Sequence, residues 1–364
     1  MSDPSAALSA AFAPDYLSAR RAFLAAAGAA HAHTESFAHP GRGLNGEDLS
    51  VDLAWVGPRD AARVVVGISG THGVEGLYGS GCQISQLTRA HSLPPDSALL
   101  LIHAINPHGF SWLRRVNEGN LDINRNFIDF TRPVPVNDSY DQVHSLILPP
   151  DFSEQRMAEM QAALHAFIAR IGQRAAAFAI TGGQYTHPDG IFYGGTELCW
   201  SNRTLARIAG DYLQQARAIC VLDHHTGLGP TAHTELICRH PPDSVGLALA
   251  RRWFGADVTS PQSGESESAV IDGNVRMAFV GLCPQAQVVA LALEVGTVAQ
   301  DRVLAALIAD NWVHHRGDPQ SPLAARIRDQ MRAAFFVDDA AWRDTCHARA
   351  MTIYRQAFEG LNTL

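Results

Sequence analysis

A β-branched run that stops abruptly at glycines is the feature that most restricts what this chain can fold into. Residues 63–83 read R-V-V-V-G-I-S-G-T-H-G-V-E-G-L-Y-G-S-G-C-Q. Val64, Val65, Val66 and Ile68 have the continuous apolar character of a strand buried on both faces, which needs helices above and below it. Glycine ends the run, and His72 and Glu75 follow at an offset that puts two side chains on one face of a tight turn. An imidazole and a carboxylate converging at a strand end form the first half of a zinc site. His-x-x-Glu also recurs by chance as a surface pair, so its weight depends on what the rest of the chain brings to it.

The surrounding segments alternate between strand and helix. Residues 49–56 alternate apolar and polar like an outer strand, and 98–104 (A-L-L-L-I-H-A) read as a second buried one. A helix is predicted between the buried pair, over 76–91, which makes a parallel crossover. Residues 4–32 are rich in Ala and Leu, and a helical lead-in is predicted over 1–45. Further helices are predicted over 153–174, 201–215, 245–254 and 300–314, with C-terminal helices over 315–364. Further strands are predicted over 175–181, 218–222, 234–238 and 288–295. Residues 111–136 are polar, aperiodic and rich in Asn and Arg, the composition of a binding loop, and 264–272 is a second polar loop. No repeat or linker composition intervenes. The prediction is one α/β domain over 1–364, a mixed, mostly parallel twisted sheet flanked by helices.

Composition narrows the function. The 364 residues can bury a large core, and a net charge of −8 argues against nucleic acid or an anionic membrane surface as partner. No window is long and apolar enough for a membrane helix, and the acidic, arginine-broken N-terminus does not predict a secretory signal. The six cysteines, at 82, 199, 220, 238, 283 and 346, lack metal-type spacing and fit a reducing cytoplasm. All 28 basic residues are arginine. With no lysine, a Walker-type phosphate loop, a Schiff-base lysine and a pyridoxal enzyme are excluded.

Three predicted strand ends carry groups with metal chemistry: His72 with Glu75, His225, and Glu294. Ligands bind at the carboxyl ends of strands in open α/β sheets. Two imidazoles and one carboxylate hold one Zn2+ and leave a position for water, whose pKa the ion lowers. Glu294 is then free to act as base, and Arg114, Arg115 or Arg125 offers charge for an oxyanion. His224 and His225 alternate faces, so only one can face an ion. Asp223 shares the face of His225 and can orient it.

Five segments in order resemble the zinc carboxypeptidase superfamily, which includes carboxypeptidase A-like enzymes and the aspartoacylase/succinylglutamate desuccinylase group. His72-Gly-Val-Glu75 is similar to its first two zinc ligands, and Asn106-Pro107-His108-Gly109 to its Asn-Pro-Asp-Gly turn. Asp122-Ile-Asn124-Arg125-Asn126-Phe127 resembles its Asp-x-Asn-Arg-Asn block, Asp223-His-His225-Thr-Gly its third-ligand segment, and Leu293-Glu294-Val-Gly-Thr its general-base segment. The resemblance spans residues 64–297. It implies His72, Glu75 and His225 as metal ligands, Glu294 as base, and Asn124 with Arg125 gripping a substrate carboxylate. A guanidinium fork suits that last task because it matches a carboxylate bidentately. The oxyanion arginine of the superfamily lies upstream of the Asn-Arg pair, where Arg114 and Arg115 both qualify; Arg115 is preferred, and Arg114 is then a structural or rim residue counted with the substrate-binding set. Carboxypeptidase A-like proteins also carry a mobile tyrosine between third ligand and base; here none lies between His225 and Glu294. Tyr193 or Tyr185, in the glycine-rich run 182–195, is the substitute the sequence offers, and Tyr193 is taken as substrate-binding.

The function these readings imply is zinc-dependent hydrolysis of an amide bond, peptide or N-acyl amino acid, adjacent to a carboxylate. The alternatives are a deacylase of a small non-peptide carboxylate and a catalytically silent zinc or carboxylate binder. A serine hydrolase on Ser69 or Ser80 lacks a G-x-S-x-G elbow and ranks last.

Overall fold

In the computed structural model of the chain, residues 11–89 and 92–364 are described. Eight strands form one sheet: β1 (His33–Arg42), β2 (Asp48–Val56), β3 (Arg63–Ile68), β4 (Ser97–His103), β5 (Ala218–Thr226), β6 (Thr234–Cys238), β7 (Val258–Thr259) and β8 (Gln287–Val295). Their spatial order is β1-β2-β4-β3-β5-β8-β6-β7. The centre, β4-β3-β5-β8, is parallel, while β1, β2 and β6 add antiparallel neighbours. The mixed α/β class predicted from the sequence is the one observed.

The apolar run 64–68 sits in the middle because it is apolar on both faces. Val64, Val66 and Ile68 face the helices Trp200–Tyr212 and Val275–Leu282 together with Ile219, Val221 and Ala290. Val65 faces the opposite layer with Leu99, Leu101, Cys220 and Leu222, beneath Gly76–Leu87 and Ala340–Leu361. Burying those four β3 side chains contributes roughly 6–12 kcal/mol of gross hydrophobic stabilisation. A third, helical cluster joins Tyr140, Ile147 and Phe167 to Ile308 and Phe335.

Chain order reverses around β3. β4 lies on one side of it and β5 on the other, so connections leave the two strands in opposite directions and open a crevice at their carboxyl ends. All six cysteines are buried and unpaired, and among the described residues no helix is long and apolar enough to cross a membrane.

Some sequence expectations need correction. The helical lead-in over 1–45 is a helix only over Tyr16–Ala29; residues 1–10 lie outside the description, and 33–42 form edge strand β1. Of β1 only Phe37 and His39 are buried, so it lacks the apolar face that announces a strand. β2, expected as an outer strand, is covered by β1. The expected strand at 175–181 is a helix, Gln173–Thr181, whose buried Ala176, Ala179 and Ile180 follow helical spacing. The helix from Gly76 ends at Leu87; Ala90 and His91 lie outside the description.

Gly67 in β3 is a packing requirement. A Cβ there would collide with the Tyr354 hydroxyl and come within 2.7 Å of Leu101 Cδ2. Gly67→Ala is expected to cost about 1–3 kcal/mol by overpacking. Urea unfolding should show a lower midpoint at an unchanged m-value; an unshifted midpoint would mean that the Ala340–Leu361 helix yields freely.

Candidate metal centre

The turn after β3 is a single 3-10 turn, Gly73–Glu75, preceded by His72 and followed directly by the helix Gly76–Leu87. It is latched to the 114–115 segment: Gly73 N donates to the Arg115 carbonyl at 3.2 Å and Val74 N to the Arg114 carbonyl at 2.9 Å. A Cβ on Gly73 would strike the backbone of Gly109 and Phe110, so this position admits only glycine. The latch aims His72 and Glu75 across the crevice at β5.

There they meet His225. His72 Nδ1 is 2.8 Å from Glu75 Oε1, His225 Nδ1 is 2.9 Å from Glu75 Oε2, and the two Nδ1 atoms are 3.2 Å apart. All three residues are buried. The remaining ring nitrogens are engaged by buried carboxylates, His72 Nε2 by Asp122 Oδ1 at 3.2 Å and His225 Nε2 by Asp223 Oδ2 at 2.8 Å. Asp223 is itself fixed by Thr71 Oγ1 at 2.7 Å. With each Nε2–H donated to a carboxylate, both Nδ1 lone pairs point at one another and at Glu75. That is an arrangement of repelling acceptors unless a proton or a cation lies among them. Donors bound at 2.0–2.1 Å around a tetrahedral ion stand about 3.3 Å apart, close to the spacings here. The donor set of two imidazoles and a carboxylate, each imidazole braced by an acid, fits a zinc-type ion.

Electrostatics agree. Burial pushes the Glu75 carboxyl up, but His72 and His225 outweigh it and hold it at about 2. Burial pushes His225 down, but Asp223 and Glu75 outweigh that and lift it to about 10. Asp122, likewise buried, is held well below the usual carboxylate range by Arg115, Arg125 and His72.

A second set of metal-capable side chains, His144, His187 and Asp189, lies on the helical cluster. Its two rings stack with centroids 3.9 Å apart and planes 21° apart, so their in-plane lone pairs run side by side instead of converging. It lacks the geometry of the first.

The other sequence-predicted residues divide. Glu294 pairs in register with His225 on the adjoining parallel strand, which puts both side chains on one face. Burial raises its pKa to about 8. Arg115 reaches the cluster, with Nε on Asp122 Oδ2 at 3.1 Å and an Nη1 3.5 Å from Glu75 Oε1, its guanidinium over the Phe192 ring. Arg114 does not: it is buried against Asp310 at 3.0 Å and Asn120 at 3.1 Å. Arg125 is buried and lies 3.6 Å from Asp122, with Nη2 donating to the Thr181 carbonyl at 2.6 Å. Asn124 Oδ1 accepts from Val275 N at 2.9 Å. His224 faces the opposite layer, 3.0 Å from the Tyr354 hydroxyl. Tyr193 enters through its main chain, its carbonyl accepting from Asp122 N at 2.8 Å. Among the described residues its hydroxyl makes no hydrogen bond to the cluster. The tyrosine that does touch this region is Tyr185, whose hydroxyl donates to the Arg125 carbonyl at 2.6 Å.

Sequence reasoning gave no role to Asp122 and passed over Arg239 and Arg276, both buried near Glu294. The available signals were a single charge inside the apolar run V-R-M-A-F-V and an arginine directly after the strand T-E-L-I-C.

The sequence matches, over residues 12–349, the family described as Protein of unknown function (DUF2817). No curated protein matches it. Similar solved structures include thrombin activatable fibrinolysis inhibitor (TAFI), 11% identical, with a TM-score of 0.47 over 88% of this chain and 74% of that one. Another is the succinylglutamate desuccinylase from Chromobacterium violaceum, 17% identical, with a TM-score of 0.36 over 85% of this chain and 72% of that one. A third is a metallo-carboxypeptidase from Burkholderia cenocepacia, 12% identical, with a TM-score of 0.36 over 91% of this chain and 69% of that one.

A divalent ion needs the neutral His225 ring, whereas without a cation that ring stays protonated up to about pH 10. Ion uptake at pH 7 must therefore expel its proton, and affinity should rise with pH until that value is passed. Calorimetric titration with zinc in two buffers of different ionisation enthalpy should report about one proton released per ion. Zero release would contradict the assignment of His225.

Proposed function

The chain belongs to the DUF2817 family, and on that premise we propose that it is a zinc-dependent hydrolase of an amide bond adjacent to a carboxylate. The observation that carries this reading is the convergence of His72 Nδ1, Glu75 and His225 Nδ1 with each histidine braced by a buried acid. His72, Glu75 and His225 would hold the ion, which when bound supplies Lewis acidity and lowers the pKa of water. Glu294 takes the proton of the attacking water and delivers it to the departing amine. Its burial-raised pKa leaves it ready to hold that proton between the two steps. Beside a divalent charge the same carboxyl titrates lower, toward the range a base needs at neutral pH. Arg115, fixed by Asp122 and Phe192, offers its guanidinium to the developing oxyanion. Asn124 and Arg125 grip the substrate carboxylate.

Peptidase and deacylase versions share this machinery. The lack of a tyrosine between His225 and Glu294 favours N-acyl amino acids or another small carboxylate over the C-terminus of a long peptide. Assay of N-acyl amino acids against blocked dipeptides separates the two; activity on peptides alone removes the deacylase.

Replacing Glu294 by Gln should leave zinc content intact while turnover falls by about 10²–10⁴. Turnover that survives the substitution refutes the role of the glutamate, and a wild type without turnover on either substrate class leaves a silent binder. Arg115→Met should lower kcat and, because it also removes a partner of the buried Asp122, should cost stability in chemical unfolding as well. Arg114→Met strips Asp310 of its buried partner and should cost roughly 3–5 kcal/mol in chemical unfolding.

A further inference from the structure

Phe192 is 4% exposed and shares the helical cluster with Ile180, Ile191 and Leu307, a place other apolar side chains could fill. Two observations set it apart. Its backbone lies in the left-handed region, at φ 56°, where an L side chain crowds the following carbonyl and glycine sits without strain. The run Gly190-Ile-Phe-Tyr-Gly194-Gly195 has glycines on both sides of that position and none at it. Hydrogen bonds from around the loop hold the strained conformation in place. Gln184 N donates to the Phe192 carbonyl at 3.2 Å, Gly194 N to the Gln184 carbonyl at 2.8 Å, and Asn120 Nδ2 to the Gly190 carbonyl at 3.0 Å. Strain maintained in this way collects where a side chain has a task.

The second observation is what lies over the ring. Arg115 Cζ is 4.8 Å from its centroid and Arg125 Cζ 5.4 Å, so one side chain supports both guanidiniums assigned to substrate. These two cations are short of acid. Asp122 serves Arg115 at 3.1 Å, Arg125 at 3.6 Å and His72 at 3.2 Å. Burial outweighs that shared charge and brings Arg125 down to about 10, and its buried Nε has no hydrogen-bond partner. A further carboxylate would neutralise the arginines and occupy their N–H groups. The negative face of a ring attracts a cation and takes up none of its donors, which stay available to a carboxylate or an oxyanion. Gly183 closes on the same side chain, since a Cβ there would come within 2.8 Å of Arg125 Cδ.

We propose that Phe192 is a positioning residue for both arginines, its ring setting how far the carboxylate grip of Arg125 stands from the guanidinium that Arg115 offers to the oxyanion. Through Arg125 it acts on substrate binding, and through Arg115 on the transition state. Donors fixed beforehand need no reorganisation at the moment of reaction, so a guanidinium loosened from its support loses effect even with its charge intact. The inference deepens the amide-hydrolase reading and rests on its placement of Arg115 and Arg125 against substrate.

The charge distribution of the ring can be changed at nearly constant shape by placing 4-fluoro-, 3,5-difluoro- and 3,4,5-trifluorophenylalanine at position 192. Calorimetric binding of propanoate, with Arg125→Met as the control that ties the signal to that residue, reads the grip apart from catalysis. Turnover of N-acetylalanine reads both arginines. Along the series propanoate affinity should fall stepwise by about 3–10-fold in all, with KM rising and kcat falling in step. Phe192→Leu, which keeps apolar bulk and removes the ring, should match the trifluoro protein. Should it fail to fold by circular dichroism, the fluorinated proteins carry the test. Affinity that stays level or rises along the series overturns the proposal, as does wild-type propanoate binding that is absent or independent of Arg125. So does a kcat that holds while affinity falls, since only Arg125 then answers to the ring. A stepwise loss of affinity without hydrolysis of any amide supports the hold on Arg125 and defeats the hydrolase. Hydrolysis with level affinity does the reverse.

Discussion

Asp122 is fully buried between three basic side chains: His72 at 3.2 Å, Arg115 at 3.1 Å and Arg125 at 3.6 Å. Alone in that position its charge would be prohibitive; surrounded, it is held ionised and becomes the point from which the centre is measured out. One oxygen sets the ring orientation of His72 and the other fixes the Arg115 guanidinium, which is proposed to face the oxyanion. The main chain helps, since Asp122 N donates to the Tyr193 carbonyl and Asp122 Oδ1 accepts from Asn124 N at 2.9 Å. Groups tied to a common anchor move together, so substitutions among them will not add as independent changes do.

The sheet supplies what the anchor cannot. β3 hands over to the His72 turn, β4 leads into the segment carrying Arg115 and Asp122, and β5 and β8 carry His225 and Glu294 in register. Neighbouring parallel strands cannot slide singly without turning buried side chains toward the wrong layer. The relation between His225 and Glu294 is thereby set by backbone hydrogen bonding. The Glu75–His72 pair depends instead on a turn latched to 114–115, a softer connection.

Much of this was legible in the sequence because chemistry and punctuation coincide. Apolar β-branched runs ending in glycine, or in Asp-His-His-Thr, announce both a central strand and the groups at its tip, which is how His72, Glu75, His225 and Glu294 could be named. The preference for Arg115 over Arg114 was available from the resemblance, but the reason Arg114 stays away from the centre, its partner Asp310 nearly two hundred residues on, is one no local pattern reveals. Arg239 and Arg276 escaped for the opposite reason. An arginine beside an apolar segment ordinarily snorkels to solvent, and only packing shows that these two do not. Edge strand β1 escaped because its covered face reads Glu35, Phe37, His39 and Gly41, which is hardly apolar. Helix Gln173–Thr181 was misread because a short apolar run carries no length to separate the two periodicities.

The bare Cα of Gly73 rests against the backbone of Gly109 and Phe110, and the Asn106 side chain, accepting from Gly109 N at 2.9 Å, shapes the turn on the far side of that contact. His-Gly-Val-Glu and Asn-Pro-His-Gly, well separated along the chain, are therefore two halves of a single steric joint. Neither can acquire bulk unless the other retreats, and any insertion between them has to be absorbed in the helix Gly76–Leu87 or the stretch leading to β4, never at the joint itself.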